Sequence, residues 1–462
     1  MGRVRAVAAI AGLSVALVAT GCSRSGSSSG STSTQTTVAA STTSGGTFGT
    51  LKDVCGPGNA KGATAPGVTN TEIDVSTMAD PGNTFSPGLD QELFDTADAF
   101  SKWCDAAGGI LGRKVVVHDR DSKLFNVAQQ TLAACATDFA LVGNGEAFDS
   151  AGVAPRLKCG LPDIPAYDNS PEATAAPQKV EPEPNPIQEN SASAFRAAQH
   201  LFPKDTKMGI LVGNIAGVTT TGLRDKETAE QLGFTVPYYS LYPPTGINNP
   251  QSYVQQMKAA GVQVETLVGD NGSQVALEKA MQTAGWYPDV MVFYPNFYDP
   301  TFVGNGGSAL KSSYVSDAYY PFELGGQNPP TAQYVNIMKA ELPSPKISAI
   351  GVQGWDAWML FAVSVKACGS NLTRQCLLQQ ASSQAAWTGG GLKPAVHPAL
   401  THAEATTCNL IMQATPSGFV PAPDVLPPTP GKGPFNCDPA NVAHLKTNYE
   451  PTDLPAGVQP VQ

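Results

Sequence analysis

The amino-acid sequence predicts an α/β fold in two lobes, each built around a parallel β-sheet. From about Val68 onward, short β-rich runs alternate with segments of helical periodicity, a pattern typical of parallel sheets covered by helices on both faces. A Pro- and Glu-rich stretch, "EPEPNPIQENSASAF", interrupts this alternation once, after which it starts again. The 462-residue chain also exceeds the usual size of a single hydrophobic core. We therefore expect two lobes with a cleft between them.

The first lobe follows from the order of these segments. Strands are predicted at "TEIDVSTM", "KVVVHDRD" and "FALVGN". The first helix lies in "LDQELFDTADAFSKWCDAAGG", where Leu93, Ala97 and Phe100 share one face and Gly108-Gly109 ends the helix. Further helices are predicted over 126–136 and in "SAGVAPRLKCG".

The second lobe repeats the alternation. Its strands are predicted at "KMGILVGN", "TVPYYSLYP" and "VETLVGD", and its helices at "TGLRDKETAEQLGF", "NPQSYVQQMKAAG" and "SQVALEKAMQTAGW". Beyond Phe302, "SSYVSDAYYP", "PPTAQYVNIMKAEL", "GWDAWMLFAVSVKACG" and "TCNLIMQ" add further elements to the two lobes. The loops "VGNGEAFDS" and "VGDNGSQ" join a strand to a helix at matching places in the two lobes. Because ligands of such sheets bind at the carboxyl ends of the strands, we expect both loops at the cleft.

The N-terminus indicates export. Arg3 and Arg5 precede an apolar run that ends in "ATGC", the pattern of a secretory signal whose apolar run is too short to span a bilayer. Small residues before Cys22 resemble a bacterial lipobox, so we expect a signal over 1–21 and a lipid on Cys22. The alternative is an ordinary cleaved signal that leaves Cys22 free. The Ser-, Thr- and Gly-rich stretch that follows is expected to be a flexible linker.

The net charge indicates which kinds of partner the protein can bind, and the cysteine content indicates its cellular compartment. The net charge of −10 disfavours nucleic acid as a partner. Apart from Cys22, an even number of cysteines remains, which suggests disulfides in an exported chain but leaves roughly a hundred connectivities open. Pairing of sequence neighbours is the simplest expectation: Cys55 with Cys104, Cys135 with Cys159, Cys368 with Cys376, and Cys408 with Cys437.

Four stretches resemble the extracytoplasmic solute-binding proteins of ABC importers, type I, in their branched-chain amino-acid-binding branch. They are "GVTNTEIDVS", "FSKWCDAAGGILGRKVVVHDRDSK", "NNPQSYVQQMKAAGVQVETLVGD" and "GWDAWMLFAVSVKACG". The resemblance runs from about Gly67 to Pro416, and Gly108-Gly109-Ile110 is its most specific element. It implies two Rossmann-like lobes of the periplasmic-binding-protein type I fold, which close by a hinge around one solute.

The resemblance also implies a domain order and a set of partners. We expect a monomer on the outer face of the cytoplasmic membrane, anchored by its lipid, that passes a small-molecule solute to ABC permease subunits without a cofactor or catalysis. The expected segments are a signal over 1–21, a linker over 22–50, lobe 1 over 51–189 and 301–400, lobe 2 over 190–300, a return to lobe 2 with an extension over 401–440, and a tail over 441–462.

Ligand contacts carried over from the family give an incomplete amino-acid clamp. Glu146-Ala147 stands where the family often has serine, and Thr219 and Ser273 fall near its second-lobe tyrosine and carboxylate positions. Aromatic and amide side chains replace the clamp and suit an uncharged or weakly polar solute. The candidate contacts are Phe85, Asn144, Glu146, Ala147, Tyr167, Asp168, Asn169, Thr219, Asp270, Asn271, Ser273, Tyr294 and Phe297. Asp168 and Asp270 also fit turn or N-cap positions, and Tyr294 also fits core packing.

Other functions have weaker support in the sequence. His397, His402 and Glu404 do not share a helical face, so we expect no metal site there. Walker, dinucleotide and H-E-x-x-H motifs are absent from the sequence. Two alternatives to a transport protein remain: a receptor of the same fold that signals to a membrane sensor, and a secreted hydrolase. The sequence does not name the solute.

If Cys22 carries the lipid, Cys22→Ala should release the protein into the culture medium, because one residue provides the whole anchor. Cell fractionation and immunoblotting measure the released fraction. Ser29→Ala, in the linker, serves as the control and should stay with the membrane. Retention of the Cys22→Ala protein at the membrane would refute the anchor.

Overall fold

The computed structural model describes residues 45–451 and residue 454. Cys22, the predicted signal over 1–21 and most of the predicted linker lie outside the described residues. Among the helices of the described residues, none combines the length and the apolar character that crossing a membrane would require.

Strands and helices alternate through most of the described chain. The strands are β1 (Glu72–Ala79), β2 (Lys114–Asp121), β3 (Leu141–Val142), β4 (Asp163–Ile164), β5 (Glu189–Ser191), β6 (Lys207–Gly213), β7 (Thr235–Tyr242), β8 (Val264–Val268), β9 (Val290–Phe293), β10 (Ser313–Asp317), β11 (Cys408–Thr415), β12 (Gly418–Pro421), β13 (Asn436–Cys437) and β14 (Val442–His444). The α-helices are α1 (Gln91–Ala106), α2 (Val127–Thr137), α3 (Ser150–Cys159), α4 (Pro171–Thr174), α5 (Ser193–Leu201), α6 (Ala216–Gln231), α7 (Pro250–Ala260), α8 (Asn271–Ala284), α9 (Pro300–Gly306), α10 (Pro329–Glu341), α11 (Ala349–Cys368) and α12 (Arg374–Ser382).

The two main sheets share one topology. The first has the order β2-β1-β3-β4 with parallel pairing throughout. The second runs β7-β6-β8-β9-β10 in parallel and is extended by antiparallel β11, which pairs with β12 and β13. In each sheet the chain reverses its direction of growth beside the first strand, which places a switch point between β1 and β3 and another between β6 and β8. The predicted α/β fold with parallel sheets is confirmed.

The turn after α1 shows why glycine stands at its end. Gly109 has φ +73°, and a Cβ there would lie 2.1 Å from the carbonyl oxygen of Arg113. Only glycine combines a left-handed backbone with such a close approach at low cost. The turn delivers the chain into β2, and the Arg113 side chain then donates to the carbonyl oxygens of Thr69, Gly62 and Gly369.

Helix α11 forms the centre of the first lobe. It packs against α1 and α12, and nearly all of its residues are buried. Trp355 and Trp358 contact Phe100 of α1, with ring centroids 5.9 and 4.9 Å away. Aromatic contacts of this kind join large buried surfaces with favourable ring geometry, so they hold α11 against α1.

A buried carboxylate on α11 gathers the three chain segments that connect the lobes. Asp356 is fully buried and accepts hydrogen bonds from the Tyr319 hydroxyl and the Trp387 indole, both at 2.7 Å. The Lys393 ammonium lies 3.0 Å from the same carboxylate, and it also donates to the Pro182 carbonyl and the Glu183 carboxylate. Asp356 thus contacts the connections that follow β10 and α12, and Lys393 links them to the connection that follows β4.

Four disulfides cross-link the described chain. They are Cys55–Cys104, Cys135–Cys159, Cys368–Cys376 and Cys408–Cys437. The predicted pairing of sequence neighbours is confirmed.

The boundaries of some segments differ from those expected. β10 lies within 301–400, expected in lobe 1, but it pairs with β9 of the second sheet. β14 lies within the predicted tail and pairs antiparallel with β5 at the first connection. Helix α6 begins at Ala216, five residues before the predicted "TGLRDKETAEQLGF". Within it, the hydroxyls of Thr219, Thr220 and Thr221 donate to carbonyl oxygens of the preceding turn.

Two carboxyl groups lie in the core of the second lobe without a cation. Glu265 of β8 and Glu278 of α8 are fully buried, and the Gln274 amide donates to both, at 3.2 and 3.3 Å. The Ser313 hydroxyl lies 3.1 Å from Glu278. Within the described chain, no lysine or arginine forms an ion pair with either carboxyl group. Burial raises the pKa of Glu278 to about 8 and the pKa of Glu265 well above its usual range.

These raised pKa values make stability fall with rising pH. The folded state binds more protons than the unfolded chain, so the stabilisation is present at acid pH and is lost as pH rises from the unfolded pKa through about 8. Between pH 6 and pH 9, Glu278→Gln should lose about 2–3 kcal/mol less unfolding free energy than the wild type. Urea denaturation at both pH values measures this difference. The exposed Glu230→Gln serves as control, and an equal loss in Glu278→Gln and wild type would contradict the assignment.

Candidate functional site

A cleft of about 740 Å³ lies between the two sheets. Loops that follow β1, β3 and β4 form one wall, and loops that follow β6, β7, β8 and β9 form the other. Each wall therefore contains the carboxyl ends of parallel strands beside a switch point, which is where open α/β sheets bind ligands. Its volume falls within the range of small-molecule pockets.

Asp80 organises the first wall. It directly follows β1, is fully buried, and accepts backbone N–H bonds from Leu124 at 2.6 Å and Ala147 at 2.9 Å. The Ser122 hydroxyl also donates to it. One carboxylate thus fixes the loops that follow β1, β2 and β3. Asp80 was not among the residues predicted from the sequence, although an acidic residue at the end of the first strand is a signal for such a role.

Most of the candidate contacts line the cleft. The structure places these predicted residues on its walls: Phe85, Ala147, Tyr167, Asp168, Asn169, Asp270, Asn271 and Tyr294. Tyr167 and Tyr294 are both held by carboxylates, with the Tyr167 hydroxyl 2.8 Å from Asp90 and the Tyr294 hydroxyl 2.5 Å from Asp225. Their rings are therefore fixed in position before any ligand arrives.

The remaining candidates lie away from the cleft walls for identifiable reasons. Asn144 and Glu146 face a second, smaller cavity of about 20 Å³ beneath the first wall. The Thr219 hydroxyl donates to the Ile215 carbonyl within α6, and Ser273 donates to Asp270. Phe297 is fully buried, and its ring lies 4.6 Å from that of Phe293 in the core of the second lobe.

Asp168 and Asp270, which also fit turn or N-cap positions, both have partners within the fold. Asp270 is the N-cap of α8 and accepts from the Ser273 N–H at 2.8 Å. Asp168 forms an ion pair with Lys179, which also lies 3.2 Å from Glu181. Burial alone would raise the pKa of Asp168, but Lys179 and nearby hydrogen bonds lower it. Both carboxylates still line the cleft, so the N-cap and ion-pair roles coexist with their place at the site.

The smaller cavity adds buried acids behind the first wall. Burial raises the pKa of Glu146 well above its usual range, and the neighbouring carboxylates add to this effect. Burial also raises the pKa of Asp149 to about 7, although Asp149 accepts N–H bonds from Asn169 and Ser170. The Asp149 carboxylate and the Glu146 carbonyl oxygen hold the loop that carries Asn169, so they support the cleft wall from behind.

Lys346 connects the two walls. Its ammonium lies 2.8 Å from Glu92 of α1 and 3.0 Å from Asp299, which caps α9 in the second lobe. Burial would lower the pKa of Lys346, but the two carboxylates raise it. Lys346 and Glu92 were not predicted from the sequence, because about 250 residues separate them along the chain.

Further cleft residues were also missed. Arg224 of α6 donates to the Asn185 side chain and the Pro186 carbonyl, at 3.3 and 3.1 Å, and thereby holds the first connection between the lobes. Gln353 and Asn409 line the cleft and are buried, each with one amide atom that lacks a partner among the described residues. Within the described chain, no three His, Cys, Asp or Glu side chains converge as a metal site.

Comparisons with known proteins agree with this geometry. Residues 87–418 match the family described as periplasmic binding protein. No curated protein matches the sequence. Among solved structures, a fatty acid ABC transporter substrate-binding protein from Thermomonospora curvata superposes with a TM-score of 0.65 at 18% identity, covering 80% of this chain and 95% of that one.

Two ligand-bound structures have the same fold. The branched-chain amino acid transporter substrate-binding protein LivJ from Streptococcus pneumoniae, in complex with isoleucine, gives a TM-score of 0.61 at 13% identity, with 76% and 100% of the two chains covered. A solute-binding protein of an ABC transporter from Rhodopseudomonas palustris, in complex with 3,4-dihydroxybenzoic acid, gives 0.61 at 14% identity, with 74% and 93% covered. The solved structures share the two-lobed fold, and because the family match spans most of the chain, the chain belongs to the periplasmic binding protein family.

Proposed function

We propose that the protein captures a small-molecule solute in the cleft by closure of its two lobes and delivers it to the permease subunits of an ABC importer. The observation that carries this proposal is the cleft of about 740 Å³ between the carboxyl ends of two parallel sheets. Its walls come from both lobes, so a solute that contacts both favours the closed arrangement. The protein makes or breaks no bond in this role.

Closure needs connections that bend and lobes that stay rigid. Each main sheet packs against its own helices, and three connections join the lobes beside Asp356. Lys346 pairs with Glu92 on one wall and Asp299 on the other, so it favours an arrangement in which the walls are near each other. These contacts support hinge closure.

The proposed setting follows from the N-terminal sequence. A lipid on Cys22 holds a monomer at the outer face of the cytoplasmic membrane, and the linker over 22–50 gives the folded part freedom to meet the permease. The contacts proposed for the solute are the candidates that line the cleft, with Tyr167, Asn169, Asn271 and Tyr294 at its walls.

A substitution that fills the cleft tests this function. Ala147 lines the cleft and is half-buried, so Ala147→Trp should block a solute while leaving the folded lobes intact. A solute at a hundredfold excess over its Kd stabilises the native state by about 2.7 kcal/mol. In a thermal-shift screen across amino acids, amides, amines, short acids and aromatic compounds, a solute that raises the Tm of the wild type should leave Ala147→Trp unchanged.

The control is Ala133→Trp, on an exposed position of α2 away from the cleft. This variant should show the wild-type shift. An equal shift in Ala147→Trp would place the solute elsewhere, and turnover of an ester, peptide or glycoside by the purified protein would exclude a purely binding role.

Leucine, isoleucine and valine should not raise the Tm. Glu146 and Thr219, carried over from the family's clamp, do not reach the cleft wall, and the Ser273 hydroxyl is bonded to Asp270. The clamp for a free amino acid is therefore incomplete. Differential scanning fluorimetry with each amino acid at millimolar concentration measures this, and a clear shift with any of the three would contradict it.

A further inference from the structure

We propose that the cleft selects a solute with a cationic group, such as an ammonium, and that Asp90 is its counter-ion. The inference rests on the proposed solute-binding function and adds the charge class of the solute. It concerns residues that lie apart from the clamp positions considered in the sequence.

The lysines around the cleft have no positive charge to offer an anionic solute. Each of the three ammonium groups lies between two carboxylates of the chain. The clusters are Lys346 with Glu92 and Asp299, Lys179 with Asp168 and Glu181, and Lys393 with Glu183 and Asp356. In each of them at least one carboxylate lines the cleft. A solute carboxylate would have to compete with these fixed partners and would meet their negative charge.

Arg224 is the other cation of the cleft wall, and one of its terminal nitrogens holds the first connection between the lobes. Its guanidinium donates to the Asn185 side chain and to the carbonyls of Pro186 and Glu189. All three of these bonds use Nη2, and neither Nε nor Nη1 donates to a described residue. The adjacent Asp225 carboxylate offsets part of the positive charge of Arg224.

Asp90, in contrast, has no cation. It stands at the N-cap position of α1 with φ 57°, but its side chain forms no capping hydrogen bond. Its partner is the Tyr167 hydroxyl, 2.8 Å away, and no described lysine, arginine or histidine forms an ion pair with it. Asp270, by comparison, does cap its helix. The Asp90 carboxylate is therefore left available at the cleft wall by the local structure.

Burial makes this arrangement costly without a ligand. Asp90 is only 8% exposed, and burial raises its pKa well above the usual range, an effect to which the adjacent Glu92 adds. A buried carboxylate becomes favourable when a cation pairs with it. Its left-handed backbone also fits a residue kept for a functional purpose at the cost of local strain.

Two residues that line the cleft carry acceptor oxygens without a partner among the described residues. The side-chain amide of Asn271 donates through Nδ2 to Asp299. The Oδ1 of the same amide has no partner among the described residues. Gln353 is 9% exposed, and its Oε1 likewise has no partner among the described residues. An ammonium has three donors and no acceptor, so it matches such a wall. The Tyr167 ring and the half-exposed Phe85 add aromatic surface that attracts cations.

Matched probes that differ in charge test the inference. The panel pairs amines, carboxylates and amides on shared skeletons, such as 2-phenylethylamine, 3-phenylpropionate and 3-phenylpropionamide, together with the corresponding linear alkyl series. Differential scanning fluorimetry and isothermal titration calorimetry on the wild-type protein should show binding of an amine and at least tenfold weaker binding of the carboxylate on the same skeleton.

The variant Asp90→Asn removes the charge and keeps the acceptor for Tyr167. Asparagine also tolerates the left-handed backbone, so the loop should be retained, and the Tm without ligand checks this. The Kd for the bound amine should rise about tenfold or more, whereas the amide on the same skeleton should change little. Asp98→Asn, on the same helix and partly exposed, makes the same change in net charge and should leave both Kd values unchanged.

The outcomes separate this inference from the proposed function. Tighter binding of carboxylates than amines, or an amine Kd that is equal in Asp90→Asn and wild type, would overturn the cationic preference and leave solute binding intact. The comparison of probes on the wild-type protein decides the preference even if Asp90→Asn fails to fold. The absence of binding by every probe and every compound of the broader screen would remove both proposals.

Discussion

The two-lobed architecture depends on the hydrogen bonds of one buried carboxylate, Asp356. A fully buried carboxylate is unfavourable unless donors surround it, and here the donors come from Tyr319, Trp387 and Lys393, each on or beside a connection between the lobes. Removing one donor leaves the buried Asp356 carboxylate with an unsatisfied oxygen and so changes the strength of its bonds to the other donors. The connections are therefore coupled in energy as well as in space. The helix that carries Asp356 is in turn held by the aromatic core of the first lobe.

The same principle governs the cleft. Asp80 fixes three loops through N–H and O–H donors, and buried lysines fix further carboxylates in pairs. A wall built in this way is positioned before a ligand binds, which lowers the ordering cost of binding. It also determines which charges are left over. Because structural lysines are saturated with acids, the character of the site is set by the side chains that the fold does not use, above all Asp90 and the free amide oxygens.

Local patterns in the sequence predicted the fold well, because they depend on short-range periodicity. "KVVVHDRD" coincides with β2, and "SAGVAPRLKCG" differs from α3 by one residue. The small elements β4, β5 and α5 in and around the Pro-rich connection were not predicted, because such short segments lack periodicity of their own. β4 forms by pairing with β3, and β5 by pairing with the distant β14. The loops of the cleft were predicted from their position after strands, and Asn169 and Asn271 lie there. Whether a side chain faces the cleft or the layer behind it depends on a shift of one or two residues along the chain. For this reason Asn144, Glu146 and Phe297 lie behind the cleft wall, although they were predicted to line it. Pairs such as Glu92 and Lys346 come together only through the tertiary fold.

The disulfides have a consequence for how the chain acquires its structure. Each disulfide joins two cysteines with no other cysteine between them, at separations from 8 to 49 residues. If the chain is exported N-terminus first, as the sequence predicts, each bond can close before the cysteines of the following bond emerge, and the order of emergence then selects the native partner. Three bonds lie in the first lobe, one lies in the second, and no disulfide of the described residues links the two. Oxidation thus completes each lobe separately and leaves the motion between them free of any covalent restraint by cystine.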